Sequence, residues 1–159
     1  MVVQIVSLKC ELDNIESLSV PADHEWVFDI RLTASDEVRT GVKVSTENEV
    51  EIPNSRGNTN LVIKVGKNIY ATITVEDAPK IVKKEVSLDD SGKRIPLFAV
   101  DCRGCEIVAW HPTGYYSAVS VNGTRFDHVD LSEKEWYDVD TETNEPVSIT
   151  NVESFIDRK

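Results

Sequence analysis

The chain has 159 residues, 40% of them hydrophobic and 28% charged, and a formal net charge of −11. These values are typical of one soluble globular domain or of two small lobes around a shared core. They exclude a membrane partner, because no run of about 18 apolar residues is present. They also exclude nucleic acid, because the basic surface that it requires is missing. An acidic surface instead favours a basic protein partner.

The first 14 residues carry neither the basic start nor the long apolar run of a secretory signal peptide. We therefore expect a cytoplasmic protein, with the nucleus as a second compartment. Thiols stay reduced in both compartments, so Cys10, Cys102 and Cys105 are not expected to form a disulfide framework.

Apolar residues alternate with polar ones along most of the chain, which predicts antiparallel strands. In chain order the alternating segments are 4–12, 26–32, 42–44, 61–65, 69–75, 97–102 and 147–152. Gly66, Lys67 and Asn68 separate two of these segments and predict a hairpin turn. The one helix signal is a capping-box pattern from Ser132 to Glu135, which predicts a single helical turn. The sequence therefore predicts an all-β, antiparallel fold with little helix.

A polar stretch at residues 87–96 is the best internal boundary. Residues 8–18 and 98–108 superpose without a gap, so that Asn14 meets Gly104. This match predicts two related β-sandwich-like lobes with a pseudo-twofold internal repeat. The domains that follow are an N-terminal lobe over 1–86, a linker over 87–96 and a C-terminal lobe over 97–159.

The segment Asp101–Glu106, which reads DCRGCE, contains a C-x-x-C motif with three open interpretations. Redox chemistry requires the motif at the start of a helix, where the sequence predicts none. A zinc site requires four sulfur or nitrogen ligands. Cys102 and Cys105 would need Cys10 and His111 to complete it. The third interpretation is a pair of core cysteines, since a free cysteine packs as a small hydrophobe.

Short motifs along the whole chain carry a family resemblance. In order they are 12–18 (LDNIESL), Trp26, 55–64 (SRGNTNLVIK), 101–104 (DCRG), Glu106, Pro112, Gly114 and 131–140 (LSEKEWYDVD). This series resembles the CXXC-motif-containing zinc-binding protein family, a eukaryotic family long labelled as of unknown function. The resemblance covers essentially the whole chain.

In that family, two C-x-x-C pairs in the N-terminal half hold zinc. Spacing from the tryptophan and from the Ser-Arg-Gly segment carries the pairs onto four positions of this chain, Leu32, Ser35, Val65 and Asn68. None of the four is a cysteine, and aliphatic side chains cannot coordinate zinc. The resemblance therefore implies a member with a degenerate zinc-knot region at 32–68 and no bound metal. It also implies that the pair Cys102 and Cys105 is not the family's zinc motif.

No catalytic constellation accompanies these motifs. His24, His111 and His128 stand outside any nucleophile elbow or zinc-protease pattern. The acidic run that starts at Asp138 fails as a calcium loop, because Thr143 occupies the position that requires glycine. We therefore expect no enzymatic activity.

Aromatic side chains supply the candidates for a binding surface. Tyr115, Tyr116 and Trp136 lie among acidic residues, and aromatic residues are enriched in protein interfaces. Arg56 is a fourth candidate. The same aromatics would serve equally well as anchors inside the core.

Together these observations predict a non-catalytic cytoplasmic binding or adaptor protein of the family, without metal. Its expected partner is a protein that is basic or handles metal. One alternative is a zinc protein with a relocated site at Cys10, Cys102, Cys105 and His111. The other is a small-molecule-binding or hydrolytic cleft between the two lobes.

Overall fold

Antiparallel strands make up nearly all of the regular structure in a computed structural model, which describes residues 2–76 and 80–159. Every strand pair in it is antiparallel. The strands are β1 (Val2–Asp13), β2 (Ile15–Ser19), β3 (Glu25–Leu32), β4 (Val38–Ser45), β5 (Val50–Glu51), β6 (Asn58–Thr59), β7 (Leu61–Gly66), β8 (Ile69–Glu76), β9 (Glu85–Ser87), β10 (Arg94–Arg103), β11 (Cys105–His111), β12 (Tyr115–Ser120), β13 (Arg125–Asp130), β14 (Trp136–Asp140) and β15 (Glu145–Arg158). A 3-10 turn covers Leu88–Asp90.

The strands form a six-stranded sheet, a four-stranded sheet and a three-stranded sheet, with a small β5–β6 ribbon beside them. Their orders are β14-β15-β1-β10-β8-β7, β13-β12-β2-β9 and β11-β3-β4. Each of these three sheets contains strands from both halves of the chain. The all-β, antiparallel prediction is confirmed, and the two halves interleave within common sheets.

The predicted internal repeat is visible where β1 and β10 end. β1 passes into β2 at Asn14, and β10 passes into β11 at Gly104. Both residues have left-handed backbone conformations, with φ of 56° and 74°. These are the two positions that the sequence superposition matched, and β1 and β10 are themselves antiparallel neighbours.

The core lies between the sheets and is centred on buried aromatic rings. Trp26 contacts Trp110 and Phe98, with ring centroids 5.6 Å and 5.1 Å apart. The indole N–H of Trp110 donates to the carbonyl oxygens of Ser7, at 3.2 Å, and Phe155, at 3.0 Å. The polar end of this buried tryptophan is thereby hydrogen-bonded to the backbone.

Two local predictions need correction. The segment from Ser132 to Glu135 is a non-helical turn, because the Asp130 carboxylate accepts the Ser132 N–H and Lys134 adopts a φ of 66°. The stretch 87–96 is largely folded: it holds the end of β9, the 3-10 turn and the start of β10. None of the helices in the described residues is long and apolar enough to span a membrane.

Candidate functional site

The DCRGCE segment forms the corner between β10 and β11. Cys102 and Cys105 lie on either side of the corner, and both are buried. Gly104 makes the turn, and its carbonyl oxygen accepts the Thr33 N–H at 3.0 Å. A Cβ on Gly104 would lie 3.2 Å from the Tyr70 carbonyl oxygen. Glycine is therefore required here by conformation and by close backbone approach.

The buried thiols differ in how readily they ionise, and the Cys102 hydrogen bond lowers the pKa of Cys105. The hydrogen bond with Cys105, together with burial, raises the pKa of the Cys102 thiol. Cys105 Sγ contacts the Thr72 carbonyl oxygen at 3.9 Å. Burial also raises the pKa of Cys10, to about 12. Cys10 and Cys102 are therefore poor thiolates, and all three cysteines are buried and pack as core residues.

The four residues of the alternative zinc site do not converge. Val2 is the β1 partner of Cys102, and Cys10 lies eight residues further along β1, about 26 Å away at strand spacing. His111 is six residues beyond Cys105 on β11, about 20 Å away. Its Nε2 lies 2.9 Å from Asp29 Oδ2 instead. Over residues 2–76 and 80–159, no three His, Cys, Asp or Glu side chains are grouped to hold a metal ion.

The positions that the resemblance assigned to zinc ligands lie at the ends of two hairpins. Leu32 ends β3 and is buried, and Ser35 follows in the turn, where its hydroxyl accepts the Glu37 N–H. Val65 lies in β7, half-buried against the core, and Asn68 occupies the β7–β8 turn with a φ of 57°. The hairpin prediction at this turn is confirmed. None of these side chains is a sulfur or imidazole ligand of the type that zinc prefers.

A groove lined with aromatic side chains lies on another face of the protein. We name it the aromatic groove and define it as two adjoining cavities of about 420 Å³ and 280 Å³, which share Arg125, Asp127 and His128. In the first cavity the Tyr115 ring meets the His128 ring edge-on at 5.1 Å. In the second, Trp136 lies among the lining residues, and the Phe126 and Trp136 rings meet at 5.3 Å. Tyr115 is 58% exposed.

A bulge in β13 shapes the groove. Tyr116 pairs with Val129 and Ala118 pairs with Phe126, so Asp127 and His128 together face a single residue of β12. Phe126 and Val129 consequently both turn inward, while the two residues between them project outward. Bulges of this kind re-aim side chains at functional surfaces.

His24 closes the inner end of the first cavity. It is 5% exposed and packs against the Trp26 and Tyr116 rings, 4.9 Å and 4.7 Å away between centroids. Burial lowers the pKa of His24, and the nearby carboxylates of Asp23 and Glu25 oppose this only in part. The imidazole is therefore neutral at neutral pH.

Asp140 connects two turns close to the groove. Its carboxylate accepts hydrogen bonds from the hydroxyl groups of Ser120 and Thr124, both at 2.8 Å, and from the Glu142 N–H. The hydrogen bond from Ser120 is the main cause of its lowered pKa. These contacts tie the β12–β13 turn to the β14–β15 turn, next to β13 and β14, whose residues line the second cavity.

The predicted binding residues separate into three cases. Tyr115 and Trp136 line the groove. Tyr116 does not, because it is fully buried in the core, and burial raises the pKa of its hydroxyl. Arg56 is exposed in the turn between β5 and β6 and lines neither cavity. Phe126 and His128 were not among the predicted binding residues, and simple alternation over 125–130 would have placed both on one face, which the bulge prevents.

These features define an all-β protein with an aromatic surface groove, whose described residues hold no metal-ligand cluster. The model of the eukaryotic CXXC motif containing zinc binding protein family matches residues 5–157. The chain belongs to that family.

Relatives match it along most of their length. A UPF0587 protein of Caenorhabditis elegans is 32% identical over 156 residues, covering 94% of this chain and 90% of the relative. A UPF0587 protein of Schizosaccharomyces pombe is 30% identical over 159 residues, covering 96% of each. A solved structure titled as a hypothetical protein from Plasmodium falciparum has a TM-score of 0.92 and 26% identity, covering 99% of this chain and 100% of that one.

Proposed function

We propose that this chain is a non-catalytic, cytoplasmic protein-binding member of its family that works without zinc. The observation that carries the proposal is the aromatic groove, where exposed Tyr115 and half-buried Trp136 stand among carboxylates. Aromatic side chains supply much of the binding energy in protein interfaces, and carboxylates favour a basic partner.

The sequence at the hairpin ends supports a metal-free role. The chain has no cysteine between Cys10 and Cys102. Its zinc-assigned positions carry two aliphatic residues, a serine and an asparagine. Two of these, Leu32 and Val65, pack against the core instead.

The environment of the histidines supports a non-catalytic role. Nucleophilic catalysis needs a base within hydrogen-bond reach of a hydroxyl or thiol. In the described part of the chain, His111 pairs with Asp29 and His128 contacts Tyr115. His24 has an Nε2 atom without a hydrogen-bond partner there. Over residues 2–76 and 80–159, none of the three histidine side chains is hydrogen-bonded to a Ser, Thr or Cys side chain.

The metal part of the proposal is tested by elemental analysis of untagged protein purified without chelator. We expect far less than one zinc per chain, and no change in Cys102→Ser or Cys105→Ser. One zinc per chain that disappears in both variants would refute it and reinstate a relocated site.

The binding part is tested by affinity capture with three purified forms of the chain. Tyr115→Ala removes the exposed ring of the groove, and Tyr137→Ala removes an equally exposed tyrosine from β14 outside it. We expect a protein that binds the wild type and Tyr137→Ala but not Tyr115→Ala, both from extract and after its own purification. Equal retention of every captured protein by all three forms would contradict the proposal.

A further inference from the structure

We propose that the first cavity of the aromatic groove, beside Tyr115, receives a lysine or arginine side chain from the partner protein. This inference rests on the proposed function and names the chemistry that the groove recognises. It is based on carboxylates that lie around the exposed Tyr115 ring, next to the buried and neutral imidazole of His24.

The charge of the cavity lining is negative. Asp23, Glu25 and Asp127 contribute three carboxylates, and Arg125 contributes one cation, which leaves −2 before the histidines are counted. Arg125 is already paired with Asp127 at 2.5 Å. The lining therefore has carboxylate charge that its own cation does not neutralise.

Asp23 is the carboxylate best placed to attract a cation from outside. No Lys or Arg among residues 2–76 and 80–159 forms an ion pair with it, and Glu25 has only a 3.8 Å contact with Lys43. Both carboxylates are near enough to His24 to act on its pKa. Because burial keeps that imidazole neutral, it does not supply a competing positive charge.

The ring of Tyr115 offers the second element of cation recognition. The His128 ring contacts it edge-on, at an interplanar angle of 85°, and so restrains its orientation. A cation held over an aromatic face is attracted by the ring electrons, and neighbouring carboxylates attract the same cation separately by their charge. The cavity of about 420 Å³ is ample for one long side chain.

Strand addition is a less suitable mode of recognition here. The β13 edge is interrupted by its bulge, and on β14 the Asp138 carboxylate already accepts the Val139 N–H at 2.7 Å. Bulges and charged side chains protect free edges against pairing with another chain. The partner is therefore held through side chains in the groove.

The test uses a defined probe, the acetylated and amidated peptide Gly-Ser-Lys-Leu-Lys-Leu-Lys-Ser-Gly, and amide chemical shifts of the whole chain. We expect shifts at residues 114–117 and 125–128. Asp23→Asn and Tyr115→Leu should each weaken binding by about two- to fivefold. The matched controls, Glu51→Gln in β5 and Tyr137→Leu in β14, should bind as the wild type does. The same peptide with acetyl-lysine, which keeps the stem and removes the charge, should not bind.

Three results would overturn the inference: no shifts in the groove, equal binding of the acetyl-lysine peptide, or equal weakening by Glu51→Gln and Asp23→Asn. The last would show attraction by overall charge alone. If the captured protein no longer binds Tyr115→Ala but still binds Asp23→Asn as it binds the wild type, the cation site is refuted while the proposed function stands. If no partner depends on the groove although the peptide binds as expected, the proposed function fails and the cation site stands.

Discussion

Replacing Gly104 by alanine tests whether the DCRGCE corner is determined by close packing or only by its backbone conformation. Gly104 has a φ of 74°, and an added Cβ would lie 3.2 Å from the Tyr70 carbonyl oxygen and 3.3 Å from Ala71 Cα. Both atoms belong to the backbone of β8, which pairs with β10 and cannot move aside cheaply. Gly92 is the matched control, since its φ is 78° and no atom lies within 4 Å of its added Cβ.

The two substitutions share a conformational cost and differ in crowding. A left-handed alanine costs about 1–2 kcal/mol, and the reduced freedom of the unfolded chain returns about 0.4–1 kcal/mol. Gly92→Ala should therefore lower the free energy of unfolding by about 1 kcal/mol. Overpacking adds about 1–3 kcal/mol, so Gly104→Ala should lower it by about 2–4 kcal/mol.

The assay is urea unfolding followed by tryptophan fluorescence, with circular dichroism as a second probe. The transition midpoints of both variants should fall while the slopes stay equal to that of the wild type. If Gly104→Ala is no less stable than Gly92→Ala, the close approach of the corner to β8 does not constrain the fold, and the reasoning is refuted.

Three further predictions concern the core, the pH response and the groove. Gln4→Met should lower the free energy of unfolding by about 2–5 kcal/mol in the same assay. The buried Gln4 amide accepts the Ile107 N–H at 2.8 Å and donates to the Ile107 carbonyl oxygen at 2.7 Å, and methionine replaces neither hydrogen bond. A loss below about 1 kcal/mol would contradict this. Burial lowers the pKa of His24 in the folded state, so just below pH 6.5 the unfolded chain binds more protons than the folded chain. The contribution of His24 to the free energy of unfolding should therefore be fully present above pH 6.5. It should decline as the pH falls toward the pKa of the folded state. His24→Gln should flatten this slope in pH-dependent unfolding, and a slope that persists unchanged would assign it to other groups. Asp140→Ala should increase amide hydrogen exchange at residues 120–124 and 141–144, with no such increase in Asp138→Ala as its control; unchanged exchange would show that Asp140 does not hold the two turns together.

The fold was predictable because period-two alternation is a local signal. Segment 26–32 alternates because one face of its strand is buried, and the structure has a strand there. The structure also has a strand over 69–75, where Ala71, Thr72 and Ile73 are all buried. The helical turn predicted from Ser132 to Glu135 was wrong, because the same short polar pattern occurs at helix starts and in tight turns. The Asp130 carboxylate favours the tight turn by accepting the Ser132 N–H, and Asp130 lies outside the Ser132–Glu135 pattern.

The groove was predictable only in part, because exposure is a tertiary property. Tyr115 and Tyr116 are adjacent and chemically identical, yet one is 58% exposed and the other fully buried. Strand alternation guarantees that neighbours face opposite sides, but the sequence does not say which side is the core. The bulge that turns Asp127 and His128 outward has no sequence signature of its own.

The corner also provides a direct link between the β3–β4 and β7–β8 hairpins through contacts of the chain itself. Zinc that binds one ligand pair from each of two hairpins would tie them directly. Here the β3–β4 hairpin is fastened to the corner by the hydrogen bond from Thr33 to Gly104, and by pairing of Leu32 with Cys105. The corner is in turn pressed against β8, through Gly104 and through the contact of Cys105 with Thr72. The C-x-x-C spacing then follows from packing: each cysteine occupies a core position on its own strand, and the turn between them must end in glycine.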